Sequence, residues 1–388
     1  MIFTFYNDIG VKKSKYLLSG APPSFDTFII YLESGDYIMP AKVTLQDIAD
    51  ALGVSRNTVS KAINNTGVLA EATRQKVLEK AIEMGYKQFS YANSISDITN
   101  PFSSQPKASG EIALFSGSFL NNSHFASTML DKFQYELSLL GYSLTMHRVD
   151  HQNIESRTLP LSYRPDNTKA IVCIEMFDHS YCEMLCSLGL PVLMIDAPVA
   201  SYWRPLNADV LLMDNFSNIY TVVNDMSKKG IAKIGFVGQV THCRSFYERF
   251  IAFREAMYIN NLNFDEKYCL TEVHPHGLEY REYLFEALTK IQEMPELFIC
   301  ANDFVALDLI SGLKRMGIEC PRDIKIFGFD DSPESKIMSP SLSTSHIHSQ
   351  IIGYSAANLV ISRIEQPDLN YRITYTETDL IYRESTQM

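Results

Sequence analysis

The sequence predicts an α/β protein in which three short N-terminal helices precede a large core of two lobes, each built on a parallel sheet. Three observations lead to this fold class. Apolar residues recur at helical spacing across residues 43–86. A segment rich in Ser, Asn and Pro follows at 87–109. From residue 110 onwards, short apolar runs alternate with amphipathic stretches, as expected for sheets covered by helices on both faces.

Length and composition allow more than one domain. The chain has 388 residues, of which 46% are hydrophobic, so the apolar material for a large core is ample. The net charge of −11 is unevenly distributed, because residues 40–89 hold seven Lys or Arg against five Asp or Glu, a formal charge of +2 that leaves −13 elsewhere. A weakly basic segment on an acidic body suggests contact with an anionic partner through one small face, helped by dimerisation.

The cysteines do not indicate a metal site or a disulfide framework. All seven are scattered, without a Cys-x-x-Cys pair, and no His near Cys182 and Cys186 completes a zinc set. His274 with His276, and His346 with His348, lack accompanying carboxylate motifs and are more often ordinary histidines. No segment is long and apolar enough to span a membrane. We therefore expect a cytoplasmic protein with reduced thiols, no metal and no cofactor.

The first N-terminal helix has clear start and stop signals. Thr44, with Asp47 three residues later, is typical of a capping box, and Gly53 is suited to the left-handed conformation of a C-terminal cap. One apolar stripe follows at spacing i, i+3, i+4 and i+7: Leu45, Ile48, Ala49 and Leu52. A third helix is expected to begin at a Thr73 cap and to close the small core with Val77, Leu78, Ala81, Ile82 and Met84.

The second helix is predicted to cross the first. Ser55 is its expected cap, and the connection is too short for an antiparallel pair, which indicates a helix-turn-helix. Its inner face carries Val59, Ala62 and Ile63, and its outer face Arg56, Asn57, Ser60 and Lys61. Arg commonly pairs with guanine and Asn with adenine when a helix enters the major groove. The alternative is a helical hairpin with a solvated polar face.

The same segment resembles one family residue after residue. VTLQDIA at 43–49, GVSRNTVS at 53–60, Thr73-Arg74 and Gly85-Tyr86 look like the DNA-binding headpiece of the lac-repressor family (LacI/GalR). The resemblance implies a helix-turn-helix domain at 41–86. It implies DNA contacts by Thr44, Ser55, Arg56, Asn57, Thr58, Ser60, Lys61, Asn64 and Tyr86. Of these, Arg56, Asn57 and Lys61 would read bases, and Thr44, Ser60 and Asn64 would hold phosphates.

The segments on either side of this headpiece are less clearly assigned. Residues 1–38 lack the features of a secretory signal. Because the likeness begins just after Met39, we expect them to be an upstream extension, with a regulatory arm as the alternative. Residues 87–109 occupy the place of the family's hinge, which forms a short helix on operator DNA and wedges a leucine into the minor groove. That position falls on Ile95, although Gln88 and Phe89 replace the usual proline and asparagine; otherwise Ile95 packs in an ordinary linker.

The core, residues 110–388, is expected to consist of two strand-helix sets. Predicted strands of the first set are 111–116, 143–147, 170–174 and 191–195; those of the second are 207–213, 233–237, 297–300 and 324–329. CANDFVA at 300–306, GFDD at 328–331 and PSLST at 340–344 resemble the family's effector domain, of the periplasmic-binding-protein type. The likeness covers roughly 41–388. It implies a first lobe at about 110–210 plus 344–372, and a second at about 211–343 plus 373–388.

Small ligands bind where the carboxyl ends of parallel strands face a cleft. Asp196, Asn302 and Asp330 follow predicted strands and are suited to hydroxyl-bearing ligands. The resemblance implies effector contacts by Asn302, Asp330 and Arg249, with Ala252 in place of a usual glycine. Further contacts are predicted for Asn121, Asn122 and Phe125, in the loop after the first strand. The alternatives are a helix cap for Asp330 and a turn residue for Asn302.

Together these features predict a homodimeric transcriptional regulator, most simply a repressor, rather than an enzyme. Its partners would be double-stranded operator DNA, a sugar-like effector between the lobes, and a second copy of itself. A ligand that prefers one lobe angle would change operator affinity by its differential affinity. Two alternatives remain open: a same-fold regulator controlled by a protein partner, and a ligand-binding protein of this fold that does not bind DNA.

Overall fold

The computed structural model describes residues 4–6, 12–14, 43–63, 69–84, 110–117, 124–275 and 277–387. The chain divides into two compact units, Met1–Ser103 and Ser104–Met388. Near the N-terminus, strands β1 (Thr4–Tyr6) and β2 (Lys12–Ser14) pair antiparallel. The predicted hinge, with Ile95, lies outside the described residues, as does the segment around Met39.

Three helices form the N-terminal headpiece: α1 (Leu45–Leu52), α2 (Arg56–Ile63) and α3 (Glu71–Glu83). The capping box of α1 is confirmed, since Thr44 Oγ1 accepts from the amide of Asp47, and the Asp47 carboxylate accepts from the amide of Thr44 at 2.7 Å. Gly53 ends the helix at φ 64°, a conformation that glycine adopts without strain. These local signals set the sharp bend between α1 and α2.

The headpiece has its own small core, formed by Ile48, Ala49, Val59, Ala62, Val77 and Ala81. Each of these was predicted from helical spacing. The expected cap of the third helix was wrong, because α3 begins two residues before Thr73, and Thr73 donates its amide to the carbonyl of Ala70. The apolar pattern located this helix correctly, but it gave no unique start in a segment with several small polar residues.

The core continues with alternating strands and helices. In chain order, its strands are β3 (Gly110–Ser116), β4 (Tyr142–Arg148), β5 (Thr168–Ile174), β6 (Val192–Ile195), β7 (Asp209–Met213), β8 (Ile234–Val237), β9 (Cys269–Leu270), β10 (Leu297–Cys300), β11 (Lys325–Phe327), β12 (Thr344–Ile347), β13 (Ile373–Thr376) and β14 (Thr378–Ile381). Its helices are α4 (His124–Leu139), α5 (His151–Ser156), α6 (His179–Cys186), α7 (Ser217–Lys228), α8 (Arg244–Ile259), α9 (Tyr280–Thr289), α10 (Asp303–Arg315), α11 (Pro333–Ile337) and α12 (Ser349–Glu365).

The first lobe is a six-stranded parallel sheet in the order β13-β7-β6-β5-β3-β4. Helices α4 and α12 pack on one face, and α6 covers the other. Its central strands carry apolar residues on both faces, and every residue of β5 and β6 except Lys169 is buried, which is the pattern of a doubly covered parallel sheet. The α/β fold class predicted from the sequence is confirmed.

The second lobe is a smaller parallel sheet in the order β11-β10-β8-β9. Helices α7 and α8 lie on one side, and α9 and α10 on the other. Strands β12 and β14 form a separate antiparallel pair, and a bridge between Asp330 and His346 connects this pair to the end of β11. One continuous apolar cluster runs from the first lobe into α7, α8 and the second sheet.

The eight strands predicted for the core are all present to within two residues at either end. Their division between the lobes was wrong at two points. Strand β7 does not open the second set, because it pairs with β6 and belongs to the first sheet. Strand β13, expected in the second lobe, pairs in parallel with β7 in the first. An apolar run does not show which strands will pair with it. Here the buried Asp209 at the start of β7 accepts from the amide of Arg372, directly before β13, and so connects β7 with β13.

Candidate DNA-binding surface and effector site

The outward face of α2 is the candidate DNA-binding surface. Arg56 and Asn57 are exposed on its first turn, and Thr58, Ser60 and Lys61 are half-buried further along. Ser55 caps the helix as predicted, since its Oγ accepts from the amide of Thr58 at 3.0 Å. Helices α1 and α2 pack against one shared apolar core, and the polar face of α2 is on the side away from that core.

The surface has the chemistry of a major-groove reader. Arg56 offers the planar donor fork that matches guanine, and the amide of Asn57 offers the donor-acceptor pair that matches adenine. Thr44 and Ser55 mark the N-terminal ends of two helices, where backbone amides favour phosphate oxygens. The remaining predicted contacts, Asn64, Tyr86 and Ile95, lie outside the described residues.

Arg249 is the central group of the candidate effector site. It lies on α8 with 2% of its surface exposed. Its Nε donates to the Asn215 Oδ1 at 2.9 Å, and its Nη1 donates to the Ala301 carbonyl at 2.6 Å. The guanidinium stacks on the Phe329 ring, 3.5 Å from the ring centroid. Burial lowers the pKa of Arg249 from its ordinary value, and Asp330 is the strongest group opposing that effect.

Asp330 faces Arg249 from the end of β11. Its Oδ1 lies 3.9 Å from the Arg249 Nη1, and its backbone has the unusual φ of 119°. Burial raises the pKa of the Asp330 carboxyl, with Arg249 lowering it and Asp303 raising it further. The alternative role of helix cap is excluded, because Ser332 caps the following helix α11. Asp330 is thus a partly buried carboxyl that faces a charged donor within the site.

The other two predicted residues at strand ends lie at helix starts. Asn302 caps α10, with its side chain accepting from the Val305 amide at 2.9 Å. Asp196, at φ 60°, accepts from the amide of Ala197 at 2.7 Å and from that of Ser245 on α8 at 3.2 Å. Burial raises the pKa of the Asp196 carboxyl. Both side chains are therefore used in capping, and effector contact by either one stays a prediction.

The structure gathers part of the predicted site. Arg249 contacts the carbonyl of Ala301, next to Asn302, and its charge interacts with those of Asp196 and Asp330. Asn121 and Asn122 lie outside the described residues, and so does the side chain of Phe125, which is in the first turn of α4. A second carboxylate, the fully buried Asp303, supports the loop after β11 by accepting from the Thr344 hydroxyl at 2.6 Å and from the Ser332 amide at 2.8 Å.

Several neighbouring residues were not predicted. Asn215 bonds Arg249 directly, and Glu248 precedes Arg249 on α8 with no exposed surface. Phe177, after β5, contacts the ring of His242, which in turn contacts Phe246, so aromatic rings make contact between the two lobes. The sequence contained one indication of this cluster: Arg244 and Glu248 are spaced i, i+4, as expected for an ion pair on one helix. The role of Asn215 was hidden by the assignment of β7 to the second lobe.

Of the two histidine pairs, His276 lies outside the described residues, whereas His346 and His348 each lie beside a carboxylate. His346 Nδ1 lies 2.9 Å from the Asp331 Oδ2, and His348 Nε2 lies 3.2 Å from the Asp379 Oδ2. Among the residues that the structure describes, no group of three or more His, Cys, Asp or Glu is arranged to hold a metal ion. Within that same part of the chain, no helix has both the length and the apolar character needed to cross a bilayer.

Two family profiles match the chain. The profile described as "Bacterial regulatory proteins, lacI family" matches residues 44–88, and the profile described as "Periplasmic binding protein-like domain" matches residues 223–386. The first covers the headpiece with its three helices, and the second covers most of the second lobe together with α12 and with β13, the strand that returns to the first sheet. Both matches agree with the resemblance carried by the sequence motifs.

Known regulators are similar over nearly the whole chain. The HTH-type transcriptional repressor PurR of Histophilus somni is 26% identical over 353 residues, which is 89% of this chain and 99% of that protein. The HTH-type transcriptional regulator GalR of Lacticaseibacillus casei is 27% identical over 351 residues, 88% of this chain and 99% of that protein.

Solved structures share the fold. The lac repressor dimer bound to operator and the anti-inducer ONPF superposes with a TM-score of 0.58 at 18% identity, covering 90% of this chain and all of that one. The transcriptional regulator CelR in complex with cellobiose superposes with a TM-score of 0.60 at 20% identity, covering 88% of this chain and 99% of that one. A helical headpiece followed along the chain by a two-lobed parallel-sheet core is the architecture common to them.

Proposed function

The chain is a member of the lacI family of bacterial regulatory proteins and a DNA-binding transcriptional regulator, and we propose that it represses transcription as a homodimer under the control of a small hydroxylated molecule. It is not an enzyme. The observation that carries the proposal is the exposure of Arg56 and Asn57 on α2, the second helix of a crossed pair. We further propose that the protein works in the cytoplasm, where operator DNA is available.

Each protomer would place α2 in one major-groove half-site of a pseudo-palindromic operator. Arg56, Asn57 and Lys61 would contact base edges, while Thr44, Ser60 and Asn64 would hold phosphates and fix the register. Since residues 40–89 have a formal charge of only +2, a single copy would bind DNA weakly at physiological salt. Two linked copies would reach a useful affinity, which supports a dimer.

The hinge and the flanking segments belong to the same proposal. Residues 87–109 would link the headpiece 41–86 to the core and form paired segments at the operator centre, with Ile95 as the minor-groove wedge. Residues 1–38 would be an extension outside this architecture. The core from residue 110 onwards would bind the effector and dimerise.

The effector would bind between the lobes, at Arg249 and Asp330. An arginine stacked on Phe329 and a carboxyl 3.9 Å away offer donors and acceptors side by side, which is the arrangement that holds vicinal hydroxyl groups. The charge of Arg249 already has acidic groups beside it in Asp330, Asp196 and Glu248, so a neutral sugar-like molecule fits best. The relative whose structure holds cellobiose supports that class, and so does a LacI family regulator from Enterococcus faecium with bound ribose. Asp196, Asn302, Asn121, Asn122 and Phe125 would complete the site.

Ligand control would work through the relative angle of the lobes. A molecule that binds the conformation with one lobe angle more tightly than the other shifts the equilibrium between the two conformations by its difference in affinity, and no more. Hinge pairing at the operator depends on the same angle, so occupancy of the cleft changes operator affinity.

The test is a titration of the full chain against its operator, obtained by in-vitro selection, with and without members of a sugar panel that includes ribose and cellobiose. We expect at least one sugar to bind the core and to change operator affinity by about five- to 150-fold, the usual range of allosteric coupling. Operator affinity that stays constant across every molecule found to bind the core would contradict small-molecule control. Control by a protein partner would then be the better account.

A further inference from the structure

A buried amide connects the candidate effector arginine to the contact between the lobes. Asn215 lies on the crossover between β7 and α7 and has no exposed surface. Its Oδ1 accepts from the Arg249 Nε at 2.9 Å, and its Nδ2 donates to the Glu248 Oε2 at 2.7 Å. The orientation of the amide is determined at both ends, because only oxygen can face the arginine and only nitrogen can face the carboxylate.

Glu248 is the acceptor on which both lobes converge. It lies on α8 of the second lobe and is fully buried. Its Oε1 accepts from two hydroxyls of the first lobe, Tyr202 at 2.6 Å and Tyr375 at 2.9 Å, and from the Nε of Arg244 at 2.9 Å. We call Tyr202, Asn215, Arg244, Glu248 and Tyr375 the Glu248 network.

Backbone bonds accompany this network at the start of α8. The amide of Arg244 donates to the carbonyl of Ala197 at 2.8 Å, and the amide of Ser245 donates to the Asp196 Oδ1 at 3.2 Å. Both acceptors belong to the first lobe, directly after β6. These two amides therefore report whether the lobes are in contact at this point.

We propose that Asn215 is a positioning residue that transmits the state of Arg249 to the Glu248 network, and so couples effector binding to the lobe junction. The proposal rests on the proposed function only in taking Arg249 as the effector-binding arginine. A ligand that draws the rigid guanidinium toward itself alters the bond from Nε to Asn215. Because no water reaches this amide, Asn215 must follow the arginine or leave a buried donor and acceptor unsatisfied, and either change weakens its bond to Glu248.

The coupling has a direct energetic consequence. When the Glu248 Oε2 loses its donor, a buried carboxylate is left with part of its charge uncompensated, and the contact with Tyr202 and Tyr375 loses its fixed geometry. The first lobe then separates more easily from α8. One side-chain amide would thereby connect a ligand contact in the second lobe to the angle between the lobes.

The experiment is hydrogen exchange on the full chain, followed by mass spectrometry of the segment that contains the amides of Arg244 and Ser245. Arg249→Met removes the first bond of the path. Asn215→Leu removes the bonds to Arg249 and Glu248, together with a longer bond from the Asn215 Nδ2 to the Ser245 Oγ at 3.3 Å. We expect each variant to speed exchange of these two amides about tenfold. The double variant should exchange no faster than Asn215→Leu alone, because one path is already broken. Effects that multiply in the double variant, or an Arg249→Met protein that exchanges like the parent, would overturn the proposal.

Matched variants separate this role from a merely structural one. Asn215→Asp keeps an acceptor for Arg249 but loses the donor to Glu248, so it should also speed exchange at these amides. It is nearly isosteric, and it provides the test if Asn215→Leu does not fold. Asn260→Ala, at the other end of α8, removes a side-chain bond to the Ala256 carbonyl and should leave exchange at the first turn unchanged. An Asn215→Asp protein with parental exchange would contradict the path from Asn215 to Glu248.

The measurement uses neither DNA nor effector, so it is independent of the proposed function. If a sugar changes operator affinity but the effects of Arg249→Met and Asn215→Leu on exchange multiply in the double variant, the proposed function is supported and the role of Asn215 is contradicted. If the two effects on exchange do not multiply but no ligand changes operator affinity, the connection from Arg249 through Asn215 to Glu248 is supported and its role in regulation is contradicted.

Discussion

Arg249 and Asp330 face each other at the carboxyl ends of the second sheet, with 3.9 Å between the arginine Nη1 and the aspartate Oδ1. Neither reaches the other within hydrogen-bond distance, although burial penalises the charge of both. A close ion pair would satisfy the two groups between themselves. This wider spacing leaves donor and acceptor capacity for a third molecule.

The first prediction concerns ligand binding by this pair. Arg249→Met should weaken the binding of any sugar found to bind the parent protein by about tenfold or more, since hydrogen bonds to charged groups contribute about 1.5–3 kcal/mol. Asp330→Asn should weaken it as well, because the amide loses one acceptor. Isothermal calorimetry on the full chain measures both effects. Asn260→Ala serves as the control, and equal affinities in all four proteins would place the ligand elsewhere.

The second prediction tests the cap that begins the headpiece. Thr44→Ala removes the acceptor for the Asp47 amide and should destabilise the headpiece by about 1 kcal/mol. Thermal unfolding followed by circular dichroism of residues 41–86 would measure it. Gln46→Ala, in the same turn, removes an exposed side-chain bond to Asp50 and should change stability by less than about 0.5 kcal/mol. If the Gln46 variant were the less stable, the capping box would not be what holds α1.

The third prediction concerns the buried charge at the start of β7. Asp209 accepts from the side chains of Arg363 on α12 and Arg372 just before β13, and also from the Arg372 amide at 2.7 Å. Asp209→Ala would leave Arg363 buried without its carboxylate and should cost about 3–5 kcal/mol. Denaturant unfolding of the full chain measures this cost. Glu293→Ala, which removes an exposed ion pair with Lys233, should cost less than about 1 kcal/mol; similar losses in both variants would contradict the role of burial.

The fourth prediction is a dependence of stability on pH at Asp331. Burial alone would raise the pKa of this carboxyl, but bonds from His346, Arg383 and Lys336 outweigh it and hold the pKa at about 2. Because the folded pKa is depressed below the ordinary value of 3.8, the stabilisation is present above about pH 4 and is lost as the pH falls through about 2. The contribution is roughly 2 kcal/mol.

Urea unfolding of the parent and of Asp331→Asn from about pH 2 to about pH 6 would check this, because that range covers the titration of the carboxyl and extends above it. The parent should be the more stable protein at the upper end of the window, and the difference should shrink toward the lower end. A difference that grows on acidification would have the wrong sign for a depressed pKa.

Local patterns predicted the parts of this protein that local chemistry determines. The cap at Thr44, the stop at Gly53 and the stripe of Ile48 and Ala49 follow from spacing along one helix, and the structure confirms them. The apolar core strands were located for the same reason. Asp330 was selected because it follows a predicted strand, and its motif supported the choice. Arg249 was found only because its motif resembles a family, since nothing in the local pattern places α8 beside the end of β11.

Long-range partners were the part that sequence did not predict. Whether β7 pairs with β6 or with β8 depends on tertiary packing, and the error there concealed Asn215. Glu248 reads as one more charged position on an amphipathic helix, yet it is fully buried because two tyrosines and an asparagine from other elements bond to it. Such residues are identified by their partners rather than by their own spacing.

The central claim is that α2 reads DNA sequence, and in-vitro selection from a random DNA library tests it most directly. The protein begun at Met39 should enrich a symmetric site, and Arg56→Ala should relax one base position in each half-site at a cost of about 1–3 kcal/mol. Ser60→Ala should instead weaken binding almost evenly across sequences. Enrichment of no site, with only salt-sensitive retention of random DNA, or an identical selected site for the parent and Arg56→Ala, would contradict the account.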